Sequence, residues 1–173
     1  MSTLKRIWIP LAATALAMAA FSAQAEEMRF SARLTGAAQL PEPTKSTAEG
    51  EMTLVVAPGG AKVSYTLTVK NITNPSGADI HLGLETANGP SVIKLFPIRG
   101  ATAKKGPFSG VLAEGTFTAA DLVGPLQGGS LADLIEEFGE GQAYVNVHTN
   151  DGVAPDDTGP GDYHFGEIRG QIK

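Results

Sequence analysis

Apolar and polar residues alternate over long parts of the chain, and this alternation predicts β-strands. Apolar residues occupy every second position between residues 62 and 70, with lysine, serine and threonine between them. A period of two places the apolar side chains on one face of a strand. Residues 52–56 alternate in the same way, and Ala57–Gly60 supplies turn residues between the two stretches. The pattern predicts an antiparallel hairpin over residues 50–70 with one buried and one solvated face.

Six further short stretches favour strands, with Gly, Pro and Asn turns between them. They are Met28–Leu34, Ala78–Leu84, Ser91–Phe96, Phe108–Thr118, Gln142–Thr149 and Phe165–Ile172. Short strands at this spacing are typical of a sandwich or barrel, whereas a parallel α/β sheet needs a helix between most strands. We therefore predict an all-β fold, an antiparallel Greek-key-type β-sandwich of about seven to eight strands.

One stretch follows the helical period instead. Apolar residues within 131–138 recur at i, i+3, i+4 and i+7, and Gly139 ends the run. Ser130 precedes them, with Asp133 three residues later, which is the spacing of a helix N-terminal cap. The sequence predicts one short helix packed over an open end or edge of the sandwich.

The first residues have the features of a secretory signal peptide. Two basic residues precede an apolar run over Ile7–Ala20, and Ala23–Ala25 has the small-x-small pattern of a signal peptidase site. The run is shorter than the ~20 residues that a spanning helix needs. We predict that residues 1–25 are removed and that residues 26–173 form one domain without a membrane span. The protein would then be periplasmic or secreted.

Composition removes several classes of function. The chain has no Cys, and its 13 Lys+Arg face 18 Asp+Glu, for a formal net charge of −5. Without Cys there is no thiol nucleophile or redox pair, so any metal would need His and carboxylate ligands. The negative charge disfavours nucleic acid and anionic membrane surfaces as partners. A protein or a metal ion remains as the partner, and the oligomeric state stays open.

Strand periodicity places two of the three histidines. In residues 78–84 the apolar side chains take the core face, which leaves Asp79 and His81 on the opposite face. The same argument applied to residues 143–149 turns His148 away from the core. If these two strands are neighbours, Asp79, His81 and His148 converge on one outer surface.

Three nearby residues are candidates for contacting a histidine ligand and fixing its orientation. Tyr144 and Asn146 share the outer face of the strand that carries His148. Glu167 would join them if the last strand pairs with that strand. The default expectation for the last strand is a structural ion pair involving Glu167 or Arg169.

The loop over residues 150–162 carries four aspartates and no basic residue, and leads to His164. The aspartates are Asp151, Asp156, Asp157 and Asp162. Nitrogen and carboxylate ligands from strands and a loop suit copper or zinc, whereas loop oxygens alone would suit Ca²⁺. The loop lacks the EF-hand register, which disfavours calcium. We predict His81, His148 and His164 as metal ligands with support from Asp79; the alternative is that all are solvated polar residues.

Five motifs are spread over residues 34–172. They are Leu34–Pro41, Ala78–His81, Asn88–Pro90, Tyr144–Thr149 and Gly166–Ile172. Together they resemble the CHRD (chordin) domain family, and the chain is similar to its bacterial, secreted single-domain members. The resemblance implies an extracytoplasmic β-sandwich. The chain departs from the family pattern at Asp79, where members commonly have His, and at Gln39, where they commonly have Glu.

Two functions are expected from these observations. The first is an exported, non-catalytic binding or structural module, whose surface could depend on a metal. The alternative is a small mononuclear copper- or zinc-binding periplasmic protein, acting as a carrier or weak enzyme. The chain has no nucleophile elbow, Walker loop or His-Glu-x-x-His motif. We therefore assign no catalytic residue and favour the first function.

Overall fold

Eight strands and one α-helix form in the order that the alternation predicts. The computed structural model describes residues 27–97 and 103–173. The strands are β1 (Met28–Thr35), β2 (Glu49–Val56), β3 (Val63–Thr73), β4 (Pro75–Leu82), β5 (Ser91–Phe96), β6 (Pro107–Phe117), β7 (Ala143–Thr149) and β8 (Ile168–Gln171), and the helix is α1 (Leu131–Gly139). The predicted signal peptide, residues 1–25, lies outside the described residues, so its cleavage stays a prediction. Within the described residues, no helix has the length and apolar character that crossing a membrane requires.

All eight strands belong to one antiparallel sheet, in the order β5-β4-β7-β8-β1-β2-β3-β6. The two end strands, β5 and β6, contact each other. The Tyr65 hydroxyl on β3 also donates to the Leu95 carbonyl on β5 at 3.4 Å. The sheet is therefore nearly closed, and the predicted all-β antiparallel fold is confirmed. The order also makes β4 and β7 neighbours, although they are far apart in sequence.

The predicted hairpin of β2 and β3 is confirmed. Its register pairs Val56 with Val63 and continues to Glu49 opposite Lys70. The turn contains Gly59 and Gly60 at φ of 82° and 70°, a left-handed conformation that favours glycine. The alternate residues of both strands point into the core, where all but the half-buried Tyr65 are fully buried with residues of the other strands. The largest of them are Leu34, Met52, Leu54, Leu67, Ile72 and Ile80.

The predicted helix is also confirmed, including its cap. The Ser130 hydroxyl accepts a hydrogen bond from the Ala132 backbone N–H, and the Ser130 N–H donates one to the Asp133 carboxylate. The four apolar residues of α1 are buried. One of them, Phe138, meets Phe30 of β1 edge to face, with ring centroids 5.5 Å apart.

The outer face of β4, β7 and β8 differs from the expected solvated face. Six of the seven residues of β7 are buried, so its polar positions are covered as well as its apolar ones. The cover consists of three connecting segments, residues 36–48, 83–90 and 150–167, whose backbones bond to side chains of this face. The expectation of a solvated face is therefore wrong here. Alternation identifies the inward face of a strand, but it carries no information about what covers the outward one.

Candidate metal centre

Three of the predicted ligands meet on this covered face. Asp79 and His81 are two residues apart on β4, and His148 lies on the neighbouring strand β7, opposite Gly77. The Gly77 backbone lies against the His148 side chain, because a Cβ atom at residue 77 would be 3.4 Å from Cδ2 of His148. The Nε2 atoms of His81 and His148 lie 3.7 and 3.6 Å from Oδ2 of Asp79. Ligand atoms of all three residues lie within 4.8 Å of one another.

Backbone carbonyls hold both imidazoles in one orientation. Nδ1 of His81 lies 2.9 Å from the carbonyl oxygen of Gly89, and Nδ1 of His148 lies 2.9 Å from that of His164. Carbonyl oxygens only accept hydrogen bonds, so Nδ1 is the protonated nitrogen of each neutral ring. The Nε2 lone pairs then face Asp79. Orientation of this kind is typical of histidines that bind metals through the opposite nitrogen.

The two Nε2 atoms that face Asp79 have no hydrogen-bond donor next to them in the described residues. Both Nε2 atoms are buried and find no hydrogen-bond partner within the part of the chain that the structure describes. Two imidazole acceptors therefore point towards one carboxylate oxygen, which is also an acceptor. Buried polar atoms without partners are rare in proteins because leaving them unsatisfied costs about 1–3 kcal/mol each. A cation bound between the carboxylate and the two imidazoles would satisfy both Nε2 atoms.

Asp79 already has one cationic neighbour. Nζ of Lys94, which faces Asp79 across the β4–β5 pair, donates to Oδ2 of Asp79 at 2.8 Å. Burial alone would raise the pKa of Asp79, but the hydrogen bond and the positive charge of the Lys94 ammonium oppose it, and the pKa lies below its usual range. Asp79 is consequently an ionised carboxylate on a nearly buried surface.

Tyr144 and Arg169 form a layer behind His81. The Tyr144 ring stacks on the His81 imidazole with centroids 4.9 Å apart, and the Arg169 guanidinium carbon lies 3.9 Å from the Tyr144 centroid. Arg169 is buried, and it donates to four backbone carbonyls, those of Ala38, Leu84, Glu85 and Ala87. The backbone N–H of Gly89 donates to the Tyr144 hydroxyl at 3.1 Å. This layer fixes the loop whose Gly89 carbonyl orients His81.

The other residues singled out for orienting a histidine lie nearby but bond elsewhere. Asn146 is directly opposite Asp79 in the β4–β7 register, yet its amide bonds to the Gln39 side chain and the Phe165 carbonyl. The Glu167 carboxylate accepts from Ser46, Thr149 and the Gly161 N–H. Among residues 27–97 and 103–173 neither Glu167 nor Arg169 forms an ion pair, so the expected ion pair is corrected: hydrogen-bond donors hold the Glu167 charge, and backbone carbonyls hold Arg169.

The loop residues do not join the three-residue group. His164 contributes its carbonyl to His148, while its own imidazole lies 3.5 Å from the Asn150 amide nitrogen. Asp162 accepts from the hydroxyl and N–H of Thr158, and these bonds lower its pKa. Asp151 accepts from the Val153 N–H in a local turn. Asp156 and Asp157 are exposed. The loop contributes to the site through the backbone carbonyl of His164, which orients His148.

Sequence reasoning missed Lys94 and Arg169 at this site. Lys94 had a visible signal, because it is the one charged residue in the otherwise apolar or hydroxyl-bearing strand Ser91–Phe96. Its position opposite Asp79 required the strand order, which the alternation does not contain. Arg169 lies in the last of the five family motifs, but its position behind His81 could not be predicted, because its partners are backbone carbonyls.

The family of the chain follows from its sequence match. Residues 30–156 match the CHRD domain. The chain belongs to the CHRD domain family. The matched range includes Asp79, His81 and His148, whereas β8 and Arg169 follow it. No curated protein and no solved structure matches the chain. The resemblance predicted from five motifs is therefore confirmed at the level of the family, while the bacterial and secreted character stays a prediction.

Proposed function

We propose that this CHRD-domain protein is an exported, non-catalytic binding module that holds one copper or zinc ion through Asp79, His81 and His148. One observation carries the proposal: two buried Nε2 atoms without partners in the described chain face a single carboxylate oxygen at 3.6 and 3.7 Å. Export rests on the predicted signal peptide, and the non-catalytic role on the family and on the missing catalytic motifs.

The spacing of the three residues suits a transition metal. Ligand atoms of a tetrahedral zinc ion, bound at about 2.0–2.2 Å, lie about 3.3–3.5 Å from one another. The two oxygen–nitrogen distances are only slightly longer than this. Two imidazoles and one carboxylate also form a ligand set that copper and zinc prefer over calcium or magnesium. Small side-chain movements would therefore close the site on an ion.

A metal carrier or weak enzyme is the second candidate. Three protein ligands leave one coordination position open, as in catalytic zinc sites. The His164 imidazole, expected as a third nitrogen ligand, is not in the group. An open position is necessary for catalysis but not sufficient for it. The binding module therefore remains the first proposal.

Calorimetric titration with copper and zinc salts tests the proposal. The complete chain would be compared with the His81→Ala and His148→Ala variants, and with His164→Ala as the matched control. His164→Ala keeps the backbone carbonyl that orients His148. We expect one-to-one binding that both site variants weaken at least about tenfold and the control leaves unchanged. Absence of binding, or binding indifferent to His81 and His148, would reject the metal site.

A further inference from the structure

We infer that Lys94 determines which metal ions this site accepts, because its ammonium group already occupies the carboxylate oxygen that a metal would use. The inference rests on the proposed function and specifies its selectivity. Nζ of Lys94 lies 2.8 Å from Oδ2 of Asp79, the same oxygen that both imidazoles face. Lys94 thus acts as a tethered competitor of the metal.

A metal ion and the Lys94 ammonium would repel each other if both were bound to Oδ2 of Asp79. A divalent ion bound to Oδ2 would lie within a few ångströms of an ammonium that kept its present position. At that separation two like charges repel each other strongly even at the effective dielectric constant of about 20 that is typical near a protein surface. The metal must therefore displace the ammonium, and the work of displacement is subtracted from its affinity.

The Lys94 side chain is free to leave. It is 62% exposed, whereas the Asp79 side chain is only 10% exposed. Lys94 lies on β5, an end strand of the sheet, and it also lines the cleft between β5 and β6. Asp121 lines the same cleft. An ammonium released from Asp79 would move into solvent, so the site opens without a change in the backbone.

The need to displace the Lys94 ammonium makes the site selective, because metal ions differ in the ligands they prefer. Calcium and magnesium depend on several oxygen ligands, and the site offers one carboxylate whose charge Lys94 already balances. These ions would lose the competition. Copper and zinc also gain two oriented imidazoles, which the ammonium cannot use. Lys94 therefore restricts the site to metal ions that bind imidazole nitrogen as well as the carboxylate.

Three variants of the complete chain test this. Lys94→Met keeps the length of the side chain without its charge, Lys94→Arg keeps the charge, and Lys70→Met removes an exposed lysine from β3 as the control. Zinc affinity would be measured by competition with a chromophoric chelator, with and without excess calcium or magnesium. We expect Lys94→Met to bind zinc about tenfold more tightly than the natural chain and to become sensitive to the competing ions. Lys94→Arg should stay within about threefold of the natural chain and Lys70→Met should match it.

The outcomes separate this inference from the proposed function. Equal or weaker zinc binding by folded Lys94→Met, with binding by the natural chain intact, overturns the inference alone. Absence of zinc and copper binding by both proteins overturns the proposed function and the inference together. Lys94→Gln, a smaller change with the same expected direction, replaces Lys94→Met if that variant does not fold.

Discussion

The outer faces of two halves of the sheet share one sequence pattern and have opposite environments. On β1 and β2 the polar positions are exposed, as at Arg33 and Glu51, while apolar positions between them are buried. On β4, β7 and β8 the polar positions Asp79, Asn146 and Arg169 are buried as well. The difference lies in the connecting segments, which leave the first face open and cover the second.

The comparison shows where polar residues acquire fixed orientations. On the open face, Arg33 and Glu49 pair at 3.2 Å with both side chains more than half exposed, an arrangement that contributes about 0–1 kcal/mol. On the covered face water is excluded, so each polar atom needs a protein partner or remains unsatisfied at a cost. The imidazoles of the candidate site are held by such partners, and orientation of this kind is what a binding site requires.

Replacement of Arg169 should give the largest difference in stability between a variant of the covered face and a variant of the open face. Arg169→Leu would leave four backbone carbonyls without this donor and remove the cation from the Tyr144 ring. We expect the free energy of unfolding to fall by about 3 kcal/mol or more in urea denaturation. Arg33→Leu on the open face should change it by less than about 0.5 kcal/mol. Equal effects of the two variants would contradict the contrast.

Glu167 and Glu51 form a second matched pair. The buried Glu167 carboxylate accepts from two hydroxyls and one N–H, so Glu167→Gln would bring amide hydrogens against groups that already donate. We expect a loss of about 2 kcal/mol in the free energy of unfolding, measured by urea denaturation. The exposed Glu51→Gln is the control and should lie within about 0.5 kcal/mol of the natural chain. A small effect at Glu167 would show that the segment over residues 150–167 is not anchored by its carboxylate.

The fold was predictable because its determinants are local. Period two in residues 52–56 and 62–70, the turn between them, and the helical period after Ser130 each lie within a few neighbouring positions. The predicted hairpin and helix were confirmed for this reason. The strand order was not predictable, because the alternation of a strand does not name its neighbours.

The candidate site was predictable only in part. Alternation placed Asp79 and His81 on one face, and their meeting with His148 depended on the pairing of β4 with β7. The Gly89 and His164 carbonyls that orient the two imidazoles could not be predicted, because every residue has a carbonyl. The role of His164 illustrates this limit, since its backbone rather than its imidazole contacts His148.

Two tyrosine-to-phenylalanine substitutions test the covered face with a smaller change. The Gly89 N–H donates to the Tyr144 hydroxyl at 3.1 Å, so Tyr144→Phe removes its acceptor next to the loop that orients His81. We expect a loss of about 1 kcal/mol in the free energy of unfolding, together with weaker zinc binding. The change Tyr65→Phe removes a longer bond, 3.4 Å, to the Leu95 carbonyl on β5, a bond that involves neither His81 nor the loop over residues 83–90. It should cost less and leave zinc binding unchanged; the reverse order would count against a positioning role for Tyr144.

The smallest expected effect concerns acid stability without metal. The pKa of Asp79 is lower in the folded protein than its usual value of about 3.9, so its ionised form stabilises the fold above that pH. This stabilisation must disappear as the pH falls below about 4 towards the lower folded value. With a chelator present, Asp79→Asn should therefore differ from the natural chain by about 1 kcal/mol near pH 5 and by less near pH 2.5, as measured by urea denaturation. The open-face control Glu49→Gln should show a difference near zero at both pH values, because its partner Arg33 is solvated. A gap at Asp79 that stays constant with pH would mean that the carboxylate is not held ionised by its neighbours, and the covered face would then lack the one charge around which the proposed metal site is built.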